Sequence, residues 1–170
     1  MKIAVLSAES LAGKFYGQDR KKFGEIKNIT DKDWYTNSFH LDVEQEATAF
    51  EKLDFESNFV KYTPGGCTHH VDCHSIKNNP TALEALWDYA YENTDCPYIL
   101  INTKEDKCFK CGFVGEMIPT DKGYCCPNCG NTDPNEQSVL RRISGYIVDS
   151  SSRPINHSKK AEIDCRYTHF

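Results

Sequence analysis

The sequence has no run of apolar residues approaching the roughly 20 needed to cross a bilayer, and the stretch from Met1 to Leu6 is too short for the apolar part of a signal peptide. A membrane-spanning or exported chain is therefore not expected, and the plain expectation is a cytoplasmic protein. Excess positive charge is missing too: 20 Lys and Arg against 25 Asp and Glu leave a formal net charge of -5. No field of one sign is present to gather phosphate backbones, so nucleic acid is not an expected partner. Internal repeats are absent. At 170 residues there is too little chain for two large domains, which leaves one domain with a core and a small stapled appendage. Apolar periodicity is scarce between 106 and 133, where Gly, Pro and Cys are plentiful. A segment so poor in core-forming residues needs a metal to fold.

What the chain does have is cysteine, at positions 67, 73, 96, 108, 111, 125, 126, 129 and 165. The odd count, in a chain with no export signal, favours reduced thiols and metal ligation over a disulfide framework.

The remaining pattern reads as mixed α/β. Ile3, Val5 and Leu6 suggest a strand, followed by a helix that starts at Ser7 to Ser10 and runs towards Gly17. Residues 39–43 read as extended, 44–59 as a helix ending before Pro64-Gly65-Gly66, and 67–76 as a strand. Asn79-Pro80 opens the clearest helix, with a capping side chain, proline at the first helical position, and Leu83, Leu86, Trp87 and Ala90 on one face. Residues 97–102 and 138–148 read as strands, and 158–167 as a short closing helix. Cys67, Cys73, Cys96 and Cys165 read as packed or exposed thiols, and Arg141, Arg142, Lys159 and Lys160 as solvated basic residues.

Two pairs, Cys108-Phe109-Lys110-Cys111 and Cys126-Pro127-Asn128-Cys129, have the spacing with which a backbone wraps around one ion. Together they supply the closed four-thiolate set of structural zinc. Gly112 and Gly130 follow the pairs directly and suit the tight turns such knuckles require. Cys125 is a possible competitor, but only Cys126 gives the two-residue spacing to Cys129, so the expected ligands are Cys108, Cys111, Cys126 and Cys129. A nucleic-acid ribbon is the rival reading. The loop between the pairs carries Lys122 against Glu116 and Asp121, with no aromatic platform flanked by arginines, which argues against it. Redox work by the same thiols is the third reading, for which ligated thiolates are poor candidates.

The knuckles are followed by Arg141-Arg142-Ile143-Ser144-Gly145-Tyr146. Further motifs are Phe23-Gly24, Thr30-Asp31-Lys32, Tyr35-Thr36-Asn37-Ser38, Phe50-Glu51-Lys52, Gly65-Gly66, Ala82-Leu83-Glu84-Ala85-Leu86, Arg153-Pro154 and Thr168-His169. This ordered set, spread over nearly the whole chain, resembles the C-terminal part of the oxygen-sensitive class III ribonucleotide reductases, which belong to the glycyl radical enzymes. The resemblance implies the C-terminal portion of a ten-stranded α/β barrel over 1–105, a zinc ribbon over 106–133, and a glycyl radical segment with its tail over 134–170. Gly145 is then the radical carrier. A radical on a backbone α-carbon is shared with the flanking amide groups and needs a planar centre that a Cβ would crowd, a clash glycine alone removes. In isolation Gly145 would be read as a turn or bulge in a strand.

The resemblance further implies a separate activating enzyme, using an iron-sulfur cluster and S-adenosylmethionine, to take a hydrogen atom from Gly145. The radical passes to a cysteine that opens the reduction of a ribonucleoside triphosphate, with formate as reductant. Ser7, Ala8, Glu9 and Ser10 resemble the family's phosphate-gripping loop at a helix N-terminus, although Leu6 and Ser7 stand where threonine and proline are expected. Glu9 is equally read as a first-turn acid. The finger loop with its thiyl cysteine and the nucleotide-sensing region find no match in these residues. Three readings follow: a split reductase completed by a separate N-terminal polypeptide, a spare part docking on an oxygen-clipped full-length reductase, or a zinc-stabilised binding module without radical chemistry.

Overall fold

The structure is a computed structural model that describes residues 13–36, 38–77, 79–143, 146–150 and 155–169. Its centre is a β-α-β unit. Strand β1 (His69–Cys73) pairs in parallel with β2 (Ile99–Thr103), His69 opposite Ile99 and Cys73 opposite Thr103, and helix α3 (Pro80–Asn93) makes the crossover. Parallel neighbours need such a connection. The Asn79 side chain accepts from Ala82 N at 3.2 Å, and Pro80 supplies a fixed φ where an N–H would be orphaned anyway. Leu86 and Ala90 of α3 pack on Val71 and Cys73 of β1, and α2 (Ala49–Ser57) adds Ala49 and Leu53.

Helix α2 starts five residues later than its apolar spacing suggested, because Thr48 closes a capping box. Its hydroxyl accepts from Glu51 N, and the Glu51 carboxylate accepts from Thr48 N at 2.8 Å. Helix α1 (Tyr16–Phe23) begins about where a helix was expected to end. Its last turn carries Arg20, Lys21 and Lys22, which suit the negative end of the helix dipole, and it stops at Gly24 with φ 79°. The expected strand at Ile3–Leu6, like Ser7 to Ser10, lies outside the described residues. Gly13 approaches the C-terminal region closely, since a Cβ there would sit 2.5 Å from that of Ser158.

Residues 39–43 form no strand. Leu41 N donates to the Glu56 carboxylate at 3.1 Å, so a buried side chain takes the donor that a ladder would have used.

Beyond β2 the strands shorten. β3 (Asp106–Cys108) lies between β4 (Val114–Gly115) and β7 (Gln137–Ser138), while β5 (Ile118–Thr120) and β6 (Gly123–Cys125) form a hairpin. The single strand expected over 138–148 is instead broken and reversed: β8 (Leu140–Arg142) pairs antiparallel with β9 (Ile147–Asp149), Arg142 opposite Ile147. The break has a local cause, because Val139 N and Leu140 N donate to the carboxylates of Asp149 and Asp106 rather than to a neighbouring strand. Past Arg142, Ile143 N donates to Tyr146 O at 2.9 Å. Helix α4 (His157–Asp164), capped by Asn156, leads into a tail laid against the core. There Tyr167 N donates to Val43 O, His169 N to Asp72 O, and Ala49 N to His169 O. Among the described residues, no helix is long and apolar enough to cross a membrane.

Candidate functional site

The two cysteine knuckles repeat one backbone pattern. Gly112 N donates to Cys108 O and Gly130 N to Cys126 O, both at 2.9 Å, while Cys108 N reaches Phe113 O and Cys126 N reaches Asn131 O. Closing each turn requires a left-handed residue, and Gly112 (φ 73°) and Gly130 (φ 68°) provide it. The sulfurs of Cys108, Cys111, Cys126 and Cys129 all lie within 4.8 Å of one another, with Cys108 to Cys129 at 3.8 Å and Cys111 to Cys126 at 3.6 Å. A tetrahedron of sulfurs about 2.3 Å from a zinc ion has edges of about 3.8 Å, so the donor set fits that metal. The Asn131 amide donates to Cys108 Sγ, and Gln137 Nε2 holds Asn131 O at 2.6 Å. The Asn128 side chain and Phe113 N–H draw the Cys111 thiol down to about 6. Cys125 turns away from the cluster, its sulfur on Cys126 O at 3.7 Å.

This cluster is tied to the strand that leads to position 145. β3 carries Cys108 opposite Gln137 of β7, and Asp106, two residues before Cys108, is fully buried. The Asp106 carboxylate forms a fork with Arg141, at 2.5 Å to Nη1 and 2.8 Å to Nη2, and also accepts from Met117 N and Leu140 N. Burial lowers the Arg141 pKa, but Asp106 outweighs it and raises the guanidinium above its ordinary value. Its guanidinium carbon also lies 5.0 Å from the centre of the Tyr124 ring.

Two further guanidinium groups hold the next residues. Arg142 Nη2 reaches Asp72 Oδ2 on β1 at 3.3 Å. Arg166, just past α4, donates from Nη1 to Arg142 O at 2.8 Å and from Nη2 to Ile143 O at 3.4 Å, while Glu162 accepts from its Nε and Nη2 at 3.1 Å each. Lys159 Nζ sits 2.6 Å from Glu162. The main chain at 141–143 is thus fixed to the ribbon, to the β-α-β unit and to the C-terminal helix by three different arginines.

That arrangement corrects one expectation. Arg141 and Lys159 are buried, and the Arg142 side chain is only 11% exposed. Of the four basic residues expected at solvated faces, Lys160 alone is partly open, 3.6 Å from Asp164. The reason is that each of the other three has a buried carboxylate partner: Asp106 for Arg141 and Asp72 for Arg142, both distant in sequence, and Glu162 one turn along α4 for Lys159. Asp106, Asp72, Glu162 and Arg166 were not singled out from sequence, though Asp72 inside an otherwise buried strand is the kind of signal that marks such a partner.

The other thiols are packed or exposed as expected: Cys67 and Cys73 are buried, Cys96 is half-buried and Cys165 exposed. Burial pushes the Cys73 thiol up to about 12 and Cys96 to about 11, which leaves both poor nucleophiles. Gly145, its neighbour Ser144, and the loop residues Ser7, Ala8, Glu9 and Ser10 lie outside the described residues. The structure therefore assembles the four cysteines and the flanks of position 145.

A family model described as anaerobic ribonucleoside-triphosphate reductase matches residues 2–169. Curated proteins of that name are similar over 163 residues in Haemophilus influenzae (43% identical, 96% of this chain, 23% of the relative) and Escherichia coli (41%, 96% and 23%). The phage T4 protein is 43% identical over 162 residues, covering 95% of this chain and 26% of its own length. The chain thus spans about a quarter of the relatives it matches. A crystal structure of the anaerobic ribonucleotide reductase from Thermotoga maritima has a similar fold, with a TM-score of 0.56 at 20% identity, covering 98% of this chain and 23% of that one.

Proposed function

The chain belongs to the anaerobic ribonucleoside-triphosphate reductase family, in which it matches the C-terminal part, and from that we propose that it carries Gly145 as the glycyl radical residue of such a reductase. The observation that supports this most is the fastening of residues 141–143, immediately before Gly145, by the guanidinium groups of Arg141, Arg142 and Arg166. A residue that must present one α-carbon to a reaction partner needs its approach strand held from several sides.

In this reading Cys108, Cys111, Cys126 and Cys129 hold zinc, which supplies a closed cross-link with no open coordination position and hence no chemistry of its own. Asp106 relays the position of that cross-link to Arg141, and the β3–β7 ladder does the same for the chain entering the hairpin. Arg166 keeps the carbonyls of 142 and 143 in place. The division follows: 1–105 forms the C-terminal portion of a ten-stranded barrel, 106–133 the ribbon, and 134–170 the radical segment and tail. Ser7, Ala8, Glu9 and Ser10 grip substrate phosphate.

The partners are those of the family resemblance: an N-terminal reductase polypeptide that supplies the thiyl cysteine, an activating enzyme with an iron-sulfur cluster and S-adenosylmethionine, ribonucleoside triphosphates as substrates, and formate as reductant. We place the protein in the cytoplasm, where thiols stay reduced.

Electron paramagnetic resonance after anaerobic activation tests this. The expected result is a doublet that disappears in Gly145→Ala, and deoxynucleotide formation only when an N-terminal reductase polypeptide is added. A folded, zinc-loaded sample that gives no radical with a competent activating enzyme would overturn it.

A further inference from the structure

Away from the cysteine cluster, a second group of ligating side chains converges inside the molecule. Glu56 of α2 and His69 of β1 are both fully buried, and His40, in the segment that failed to become a strand, closes over them. His69 Nδ1 lies 2.8 Å and His40 Nδ1 3.1 Å from the same oxygen, Glu56 Oε2, and the three donor atoms all fall within 4.8 Å of one another.

The other valences of Glu56 and His69 are already used. Glu56 Oε1 accepts from Lys52 Nζ and from Leu41 N. His69 Nε2 faces Cys67 Sγ at 3.3 Å, and the Thr63 hydroxyl donates to the same sulfur at 3.5 Å. A metal-ligating imidazole needs its second nitrogen pinned in this way, so that the ligating nitrogen presents its lone pair. His40 Nδ1 is buried and close to Glu56, yet it makes no aligned hydrogen bond there. Two ring nitrogens aimed at one carboxylate oxygen, one of them without hydrogen-bond geometry, is the arrangement of ligands around a shared point.

A second observation comes from the space beside it. His40 and Lys52 border a cavity of about 40 Å³ that His70 also lines. His70 is 6% exposed, and neither of its ring nitrogens has a hydrogen-bond partner. Buried polar atoms left so call for a water or an ion, and the cavity exceeds the roughly 15 Å³ that a water requires.

We propose that His40 Nδ1, Glu56 Oε2 and His69 Nδ1 form a second, sulfur-free site for a divalent transition-metal ion. Two imidazoles and one carboxylate suit zinc or its borderline neighbours at about 2.0–2.2 Å, and leave a coordination position for water. Such an ion pins the segment around His40 to α2 and β1, elements that pack on the core rather than on the ribbon. Lys52 and the metal engage different oxygens of Glu56, so the ammonium does not occupy the site.

Cobalt titration of the untagged, metal-stripped chain, followed by elemental analysis, tests this. The wild type is expected to take two equivalents. One gives the intense sulfur-to-cobalt charge-transfer absorption of a four-thiolate site, and the other only weak ligand-field bands. His40→Ala is expected to retain the first and lose the second, with His69→Gln as a further variant, whereas Cys126→Ser loses the first and keeps the second. Saturation of the wild type at one equivalent would overturn the proposal whatever the variants do, and so would full retention of the weak-band equivalent in a folded His40→Ala protein.

Discussion

Two hydrophobic clusters in this chain are built on opposite plans. One gathers Ala49, Leu53, Val71, Cys73, Leu86 and Ala90 from two helices and a strand, with Phe50, Ile76, Ile99 and Ile101 around them. The other has Cys108, Met117, Tyr124, Cys126 and Val139, with Phe113 beside them. The first is held by buried aliphatic surface. In the second, two of the five side chains are thiols of the four-cysteine cluster whose geometry fits a metal ion. With zinc in the four-cysteine cluster, as proposed, one region folds by removing methylenes from water and the other by closing a coordination shell, so they should fail under different insults.

The largest expected effect is on the ribbon. Cys126→Ser should abolish metal binding at the thiolate cluster and unfold the segment around 106–139, since structural zinc carries on the order of 10 kcal/mol in such small sites. Metal content and limited proteolysis check this, and the β-α-β unit should keep its cooperative melting. Loss of both regions together would show that they do not fold independently.

Asp106→Ala attacks the seam between ribbon and hairpin. It strands the buried Arg141 guanidinium without a carboxylate and orphans Met117 N and Leu140 N, at an expected cost of about 3–5 kcal/mol. The measurement is chemical denaturation with zinc retention followed in parallel. Arg141→Met in the same background should recover part of the loss, because the uncompensated charge is then gone.

Leu53→Ala should cost about 3 kcal/mol by opening a cavity under α2, lowering the melting of the aliphatic core while leaving metal stoichiometry at the cysteines unchanged. A change in thiolate-bound metal would show that the two regions are coupled more closely than their packing suggests.

Acid should act on the joints. Burial raises the carboxyls of Asp72 and Glu162, but Arg142 and Arg166 around the first, and Arg166 and Lys159 around the second, outweigh it and hold both below their ordinary values. A carboxylate depressed in the folded state contributes stability that is present above its unfolded pKa, near 4, and is lost as pH falls through the folded value. The share of stability that these two carboxylates contribute should therefore be level above about pH 5 and decline below about 4. Asp72→Asn should flatten part of that decline in an acid titration followed by circular dichroism.

The smallest effect belongs to Asn79→Ala, which removes the cap of α3 and should cost about 1 kcal/mol, seen as a small downward shift in melting temperature with no change in metal content.

How much of this could be read from sequence follows the same division. The cysteine spacing and the two glycines declare the knuckles, because a closed coordination shell is a local motif. Asn79-Pro80 declared α3 for the same reason. The joints are not local: Arg141 meets Asp106 across 35 positions and Arg142 meets Asp72 across 70. With no spacing to mark them, these arginines read as surface charge. The expected single strand over 138–148 is divided in the structure because its β-favouring Val139, Ile143, Tyr146, Ile147 and Val148 are local features, whereas the hydrogen bonds that divide it come from Asp106 and Asp149.

Residues after position 155 are stitched to the body by Arg166, by Tyr167 N on Val43 O and by His169 N on Asp72 O. A backbone scission at 145 would therefore leave the terminal peptide clasped in place. A nicked molecule should elute from a sizing column as though whole, and betray its wound only on a denaturing gel.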